Sequence, residues 1–177
     1  FGTPDPHYTD IADFDDVETI NYYNGHKDAV PLEKLMEAVN TGSRDNVRRP
    51  MCWDNTKNYG FSSSDKTWIK LHSRGGEVNL ENDRKSKKSV FVFYKQLLAL
   101  RNSSDAVKYG KFEDKTQGDG YFVYTRTLGD ERILVVCNFD KAREITGLPD
   151  GKYLFGNGGN RGACGKYAPF ETAVYKV

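Results

Sequence analysis

Between Leu32 and Val39 the apolar positions Leu32, Leu35, Met36 and Val39 recur at i, i+3, i+4 and i+7, the spacing of one buried helix face. Pro31 fits the first helical position and Gly42 the stop. Upstream, residues 15–18 (DDVE) carry the spacing of a capping box, with Asp15 as cap and Glu18 as its N3 partner. Val17, Ile20 and Tyr23 form the stripe expected of that helix, and Gly25 ends it. Residues 89–102 read as a third helix, capped by Ser86 or Ser89. Phe93, Leu97 and Leu100 line one face, with Val90, Tyr94 and Leu98 beside it. A stripe that wide calls for burial on more than one side. Beyond Asp105 the period falls to two. Residues 107–112, 121–127, 132–139, 143–146, 152–155 and 172–177 read as strands, separated by Gly/Asp turn signals.

Two segments lack a period. Residues 1–14, with their prolines, read as loop. From Ser43 to about Lys88 the chain shows no regular pattern, although Trp53, Tyr59, Phe61, Trp68 and Ile69 make it too apolar for disorder. Irregular stretches of that length in a compact domain are usually functional or belong to something larger. The expected organisation is an irregular helical part, residues 1–104, followed by an antiparallel all-β sandwich, residues 105–177.

Charge narrows the choice of partner. Across 177 residues, 26 basic side chains stand against 25 acidic ones, so nucleic acid, which needs clustered positive charge, is not expected. No apolar run approaches the ~20 residues of a membrane span; the longest, Val90 to Leu100, is broken by Lys95 and Gln96. Cys52, Cys137 and Cys164 form neither a disulfide framework nor a zinc spacing, and three scattered histidines suggest no metal site. No metal or cofactor is expected. The cysteine usage fits a reducing compartment. The chain opens on Phe1 rather than Met, as expected of a piece of a longer protein. Aromatic residues reach 13%, which suits both an aromatic-rich β core and surfaces that stack on flat ligands such as sugars.

Candidate chemistry concentrates in residues 43–55 (SRDNVRRPMCWDN). Arg44, Arg48 and Arg49 fall within six positions, ahead of Pro50, Met51 and Trp53. One reading makes the arginines rim charges paired with Asp45 and Asp54, each pair contributing about 0–1 kcal/mol. The other makes the segment an anchored loop whose guanidinium forks are pre-organised for carboxylates or sugar hydroxyls. The glycine-rich residues 156–166 fail the phosphate-loop pattern, since Asn160 stands where the first Gly is required and Tyr167 follows Lys166. They read as a hairpin loop between strands. No Ser/His/Asp or Cys/His pairing is suggested by spacing.

Residues 44–54 (RDNVRRPMCWD) resemble the RDxxRTPMQWD segment of α-glucosidases of glycoside hydrolase family 13, of the oligo-1,6-glucosidase and dextran glucosidase type. The likeness continues in order. Residues 8–11 (YTDI) and 14–18 (FDDVE) resemble the stretch after the eighth barrel strand, 57–61 (KNYGF) resembles KNAGF, and 67–70 (TWIK) resembles the PWIK segment. Further matches are 78–80 (VNL), the helix around Tyr94 and Arg101, 124–127 (YTRT), Asn138 with Phe139, and the closing Pro169, Phe170, Glu171, Val174 and Tyr175. Arg49 stands where Thr is usual, Cys52 where Gln is usual, and Phe170 where Trp is usual.

The resemblance implies a mixed fold: the end of a (β/α)8 barrel, then a C-terminal antiparallel β domain. It implies a parent that is a retaining α-glucosidase acting on short α-1,6 or α-1,4 glucosides. The aspartate nucleophile, glutamate acid/base and stabilising aspartate of the family would lie upstream of Phe1, so that the chain alone is inactive and no catalytic residue is expected within it. Arg44 would pair with an upstream aspartate and hold the non-reducing-end glucose, with Arg48 as second choice, and Glu18 would serve the next sugar site. Expected partners are an isomalto- or malto-oligosaccharide and the rest of the barrel; the expected location is the bacterial cytoplasm. Two other classes stay open: a carbohydrate-binding or interaction β-sandwich, and a non-catalytic homologue like the heavy chains of amino-acid transporters.

Overall fold

The computed structural model describes residues 2–87, 89–159 and 161–177. Two compact units divide between Phe91 and Val92. The expectations that fall on Phe1, Lys88 and Asn160 lie outside the described residues.

The first unit is built on two helices, α1 (Val17–His26) and α2 (Leu32–Gly42). Leu35, Met36 and Val39 of α2 are buried, as their spacing predicts, while Leu32 is exposed. Met36 and Val39 close with Phe14 on a small core flanked by Tyr8, Ile11 and Tyr23. The Tyr8 and Phe14 rings meet edge to face at 5.1 Å. Asn40 fixes the incoming chain: its Oδ1 accepts from the Tyr8 N–H at 2.8 Å and its Nδ2 donates to the Tyr8 carbonyl at 2.8 Å.

The start of α1 departs from the expected capping box. Asp16, not Asp15, is the N-cap, and the third helical residue is Thr19, whose hydroxyl donates to Asp16 Oδ2 at 2.8 Å. Val17 is 67% exposed instead of joining the stripe, and Gly25 lies inside the helix, which runs on to His26.

The stretch after Ser43 is more ordered than its sequence suggests. It contains α3 (Asp45–Arg48), a 3-10 turn at Lys57–Gly60 and α4 (Leu80–Lys85). Short polar anchors, not apolar periodicity, hold it. Buried Asn79 caps α4 through the Asn82 N–H at 2.9 Å and donates to the Gly75 carbonyl at 2.9 Å. Buried His72 donates from Nε2 to the Pro4 carbonyl at 2.9 Å and accepts at Nδ1 from the Arg74 N–H at 2.9 Å. Burial, helped by the nearby Arg49 and Arg74 charges, pushes its pKa down against the opposing effect of the Pro4 carbonyl bond.

α5 (Val90–Ser103) forms where its sequence predicts, but none of its residues is buried, and Val90, Tyr94 and Leu98 are exposed. Residues 107–112 do not form one strand. α6 (Asp105–Tyr109) takes the first three of them, because the Ser104 hydroxyl caps it by accepting from the Val107 N–H at 3.1 Å, and β1 (Lys111–Asp114) begins only after Gly110. The remaining strands are β2 (Tyr121–Leu128), β3 (Glu131–Asn138), β4 (Arg143–Ile145), β5 (Lys152–Gly156), β6 (Gly165–Tyr167) and β7 (Thr172–Lys176). Of these, β6 was hidden in the glycine-rich stretch.

Five strands form an antiparallel sheet in the order β1-β2-β3-β7-β5, and β4 pairs with β6 in a second sheet. A two-residue turn at Gly129 (φ +55°) and Asp130 sets the β2–β3 register, which places Thr125 opposite Leu134. One side chain in two then faces the same way. Val123, Leu134, Val136, Ala173 and Tyr175 pack with Ile145, Ala163 and Tyr167 of the second sheet and its approach. On the opposite face Ile133 and Val174 pack with Ala106 of α6. The Tyr167 and Tyr175 hydroxyls lie 3.1 Å apart, and each also donates to a backbone carbonyl, Ala163 and Gly162 respectively. Burial pushes the Tyr167 phenol pKa up. No helix among the described residues is long and apolar enough to cross a membrane.

Candidate functional site

The loop 43–48 is fastened to the start of α1 by one carboxylate. Asp45 is 1% exposed, and its Oδ2 accepts from the backbone N–H groups of Asp15 at 2.7 Å and Asp16 at 2.9 Å. Those N–H groups precede the helix and have no helical partner, so a buried acceptor satisfies both at once. Ser43 Oγ accepts from the Asp45 N–H at 3.2 Å and holds the turn.

That fastening presents Arg44 to the α1 terminus. Its Nε and Nη2 both reach Asp16 Oδ1, at 3.1 and 3.0 Å, and Nη2 reaches Glu18 Oε2 at 3.1 Å. Arg48 Nη1 lies 3.5 Å from Asp45 Oδ1 and 3.8 Å from Asp16 Oδ1. The structure therefore brings together all three residues singled out from the sequence, Arg44, Glu18 and Arg48, and adds Asp16 and Asp45, which sequence reasoning did not single out as site residues. The spacing of Asp16 and Thr19, one residue later than the assumed cap, was the available signal for the first. Nothing local marks Asp45 as buried.

Exposure divides the cluster into a buried base and an open top. The side chain of Asp16 is 4% exposed, whereas those of Arg44 and Glu18 are 55% and 78% exposed. Burial alone would raise the Asp16 pKa, but the Thr19 hydroxyl and the Arg44 guanidinium outweigh it and hold the carboxyl down at about 2. Asp16 returns the favour, pushing the Arg44 pKa up. Glu18 is thus an arginine partner, not the third member of a capping box. Beside the cluster lies an open cavity of about 310 Å³, lined by Asp16, Glu18, Thr19, Tyr22, Val39 and Gly42, among others.

Arg49 takes no part. It donates from Nη2 to the Pro4 carbonyl at 2.6 Å, and Asp54 accepts from Thr56, at 2.8 Å from the N–H and 2.6 Å from the hydroxyl. Of the pairings expected of rim charges only Arg48–Asp45 forms, and its carboxylate is buried rather than at a rim. Among the described residues no group of His, Cys, Asp and Glu side chains is arranged to hold a metal ion, and the three cysteines are free.

The Asp16 shift carries a consequence for acid stability. Its folded pKa lies below the ordinary 3.8, so its stabilisation is fully present above that value and is lost as pH falls toward about 2. Thermal melts between pH 5 and 2 are expected to show a steeper acid loss for the native chain than for Asp16→Asn, which starts lower at neutral pH. Parallel curves would rule out Asp16 as the titrating group.

A carboxylate-anchored arginine beside a carboxylate-edged cavity suits a polyhydroxylated ligand. The family model described as "Alpha amylase, catalytic domain" matches residues 10–110. The chain belongs to the alpha-amylase family. It is 34% identical over 152 residues to the oligo-1,6-glucosidase of Parageobacillus thermoglucosidasius, covering 84% of this chain and 27% of that protein. It is likewise 34% identical over 151 residues to the trehalose-6-phosphate hydrolase of Bacillus subtilis, covering 84% and 27%. Among solved structures, Bacillus licheniformis trehalose-6-phosphate hydrolase superposes with a TM-score of 0.90 at 28% identity, over 99% of this chain and 34% of that one. The chain thus spans between a quarter and a third of the length of these relatives, which are glycoside hydrolases.

Proposed function

We propose that this chain is the sugar-gripping, C-terminal part of a retaining α-glucosidase acting on short α-1,6- or α-1,4-linked glucosides. Residues 1–104 would complete the catalytic barrel and residues 105–177 would form the C-terminal β domain. The observation that carries the reading is the Arg44 fork, exposed toward solvent yet fixed from below by buried Asp16. An arginine already ordered by a carboxylate loses little further freedom when it hydrogen-bonds sugar hydroxyls, and orientation of the substrate is the benefit. Glu18 would serve the neighbouring, aglycone-side sugar, and Arg48 would support the loop from behind or substitute for Arg44 as the first contact.

Bond cleavage is assigned to material outside this sequence. A retaining glycosidase needs two carboxyls about 5–5.5 Å apart, one of them a proton donor near neutral pH. Asp16, at about 2, stays ionised and cannot donate, Asp45 is committed to backbone N–H groups, and Glu18 is paired with Arg44. The exposed apolar side chains of α5 agree with a helix that packs on further chain. The protein expressed from the complete gene is expected to release glucose from isomaltose with α configuration first, as followed by proton NMR in the opening minutes. Release of β-glucose would overturn the retaining mechanism. No release from any short α-glucoside would instead favour a non-catalytic homologue.

A further inference from the structure

A second cavity, about 430 Å³, opens in the β unit between the inner face of β2–β3 and the segment from Ile145 to Pro149. Its wall includes Val123, Leu134 and Ile145, all buried. Among them sits Thr125, 2% exposed, whose Oγ1 has no hydrogen-bond partner among the described residues. An unpaired buried hydroxyl is destabilising, and native interiors leave few of them. Valine would fill the same inward position of the strand with no such cost. The hydroxyl is therefore an oddity in the core and an asset in a binding wall.

The rim has the matching chemistry. Tyr121 also lines the cavity, and its ring is fixed: its hydroxyl accepts from the Gln117 N–H at 3.0 Å, and the Arg143 guanidinium carbon lies 5.1 Å from the ring centroid. Gly120, at φ +76°, lets the chain pass close beside Arg143, where a larger residue would collide with that side chain. Gln117 and Thr146 add an amide and a hydroxyl to the lining. The charged groups there have partners of their own: Lys115 pairs with Glu113 at 3.2 Å, Arg132 donates from Nε to Thr127 Oγ1 at 3.2 Å, and Asp114 accepts from the Thr116 N–H at 2.8 Å. An anion would meet the Asp114 carboxylate in the same lining, and a purely apolar ligand would leave Thr125 unpaired. Interleaved hydroxyls, an aliphatic wall and one fixed aromatic ring suit a neutral polyhydroxylated ring.

We propose that this cavity is a second, non-catalytic sugar site that takes a single pyranose unit, with the Thr125 hydroxyl bonding one of the sugar's own. The assignment does not rest on the glucosidase reading and concerns a different unit from the Arg44 cluster.

The test is a titration of the 177-residue chain with glucose and with isomaltose, followed by amide NMR shifts and by calorimetry. Saturable shifts are expected at Thr125, Gln117 and Thr146. Thr125→Val is expected to weaken binding by about tenfold or more, while melting at the same temperature or higher, since it removes an unsatisfied hydroxyl. A purely structural threonine would not separate affinity from stability in that direction. No saturable response at these amides up to about 20 mM sugar, well above a millimolar Kd, would overturn the proposal, as would unchanged affinity in Thr125→Val. Should that variant fail to fold, Gln117→Ala on the rim carries the same test: weaker binding supports the site and unchanged binding rejects it.

Discussion

Asp45→Ala is expected to destabilise the first unit by about 2–4 kcal/mol, the largest stability effect of any single side chain around the Arg44 site. The carboxylate is almost wholly buried and serves two backbone N–H groups with one oxygen, at 2.7 and 2.9 Å. Alanine leaves both donors without a partner, each facing a desolvation cost of about 1–3 kcal/mol. It also strips Arg48 of its nearer carboxylate, at 3.5 Å. The net loss stays below the simple sum because water can enter as the loop loosens. For a chain of this length the expected fall in melting temperature is roughly 5–15 °C. Asp45→Asn, which keeps an acceptor oxygen and loses the charge, should fall between alanine and the native chain. Melts monitored by far-UV circular dichroism decide the point: an alanine variant within 1–2 °C of native, about the scatter of a melt, would mean that Asp45 does not fasten the loop.

The second large effect concerns substrate. In the enzyme expressed from the complete gene, Arg44→Ala is expected to lower kcat/KM on isomaltose by about 10²–10³, or roughly 3–4 kcal/mol of transition-state stabilisation. A guanidinium fixed by two contacts to Asp16 Oδ1, at 3.0 and 3.1 Å, meets the sugar already ordered. Removing it costs the contact and the alignment together. Arg44→Lys keeps the charge and loses the fork, so it should recover only part of the rate. Arg44→Ala leaves the buried Asp16 carboxylate with the Thr19 hydroxyl but without its guanidinium, so a lower melting temperature is expected, and rates compared well below that temperature separate lost grip from lost structure. A change in kcat/KM of less than about threefold would remove Arg44 from the substrate's surroundings.

How far these features could be read from the chain depends on what kind of interaction makes them. The α2 stripe was legible because Leu35, Met36 and Val39 bury at helical spacing, and β2 and β3 were legible because a sheet with a packed inner face imposes alternation over eight residues each. Residues 107–112 were read as one strand, yet a hydrogen bond from the Val107 N–H to Ser104 Oγ caps a helix that takes the first half of them into α6. β6 escaped because three residues, with Tyr167 the single buried one, offer no period. The irregular span after Ser43 is held by Asn79 and His72 bonding backbone groups, and no hydrophobic pattern records that. At the site, Arg44 and Glu18 stood out through family resemblance. Asp16 and Asp45 did not, because a carboxylate becomes buried only when distant N–H groups, 29 residues away for the Asp45–Asp16 bond, come to satisfy it.

The claim on which the rest depends is that this chain holds sugar while other material breaks the bond. The most direct measurement is hydrolysis of a chromogenic α-glucoside by the purified 177-residue chain, with the enzyme from the complete gene assayed in parallel. The account predicts turnover by the complete enzyme and none by the chain alone. Turnover by the chain that persists through purification and is abolished by Glu18→Gln would contradict it, because a working acid would then lie within these residues.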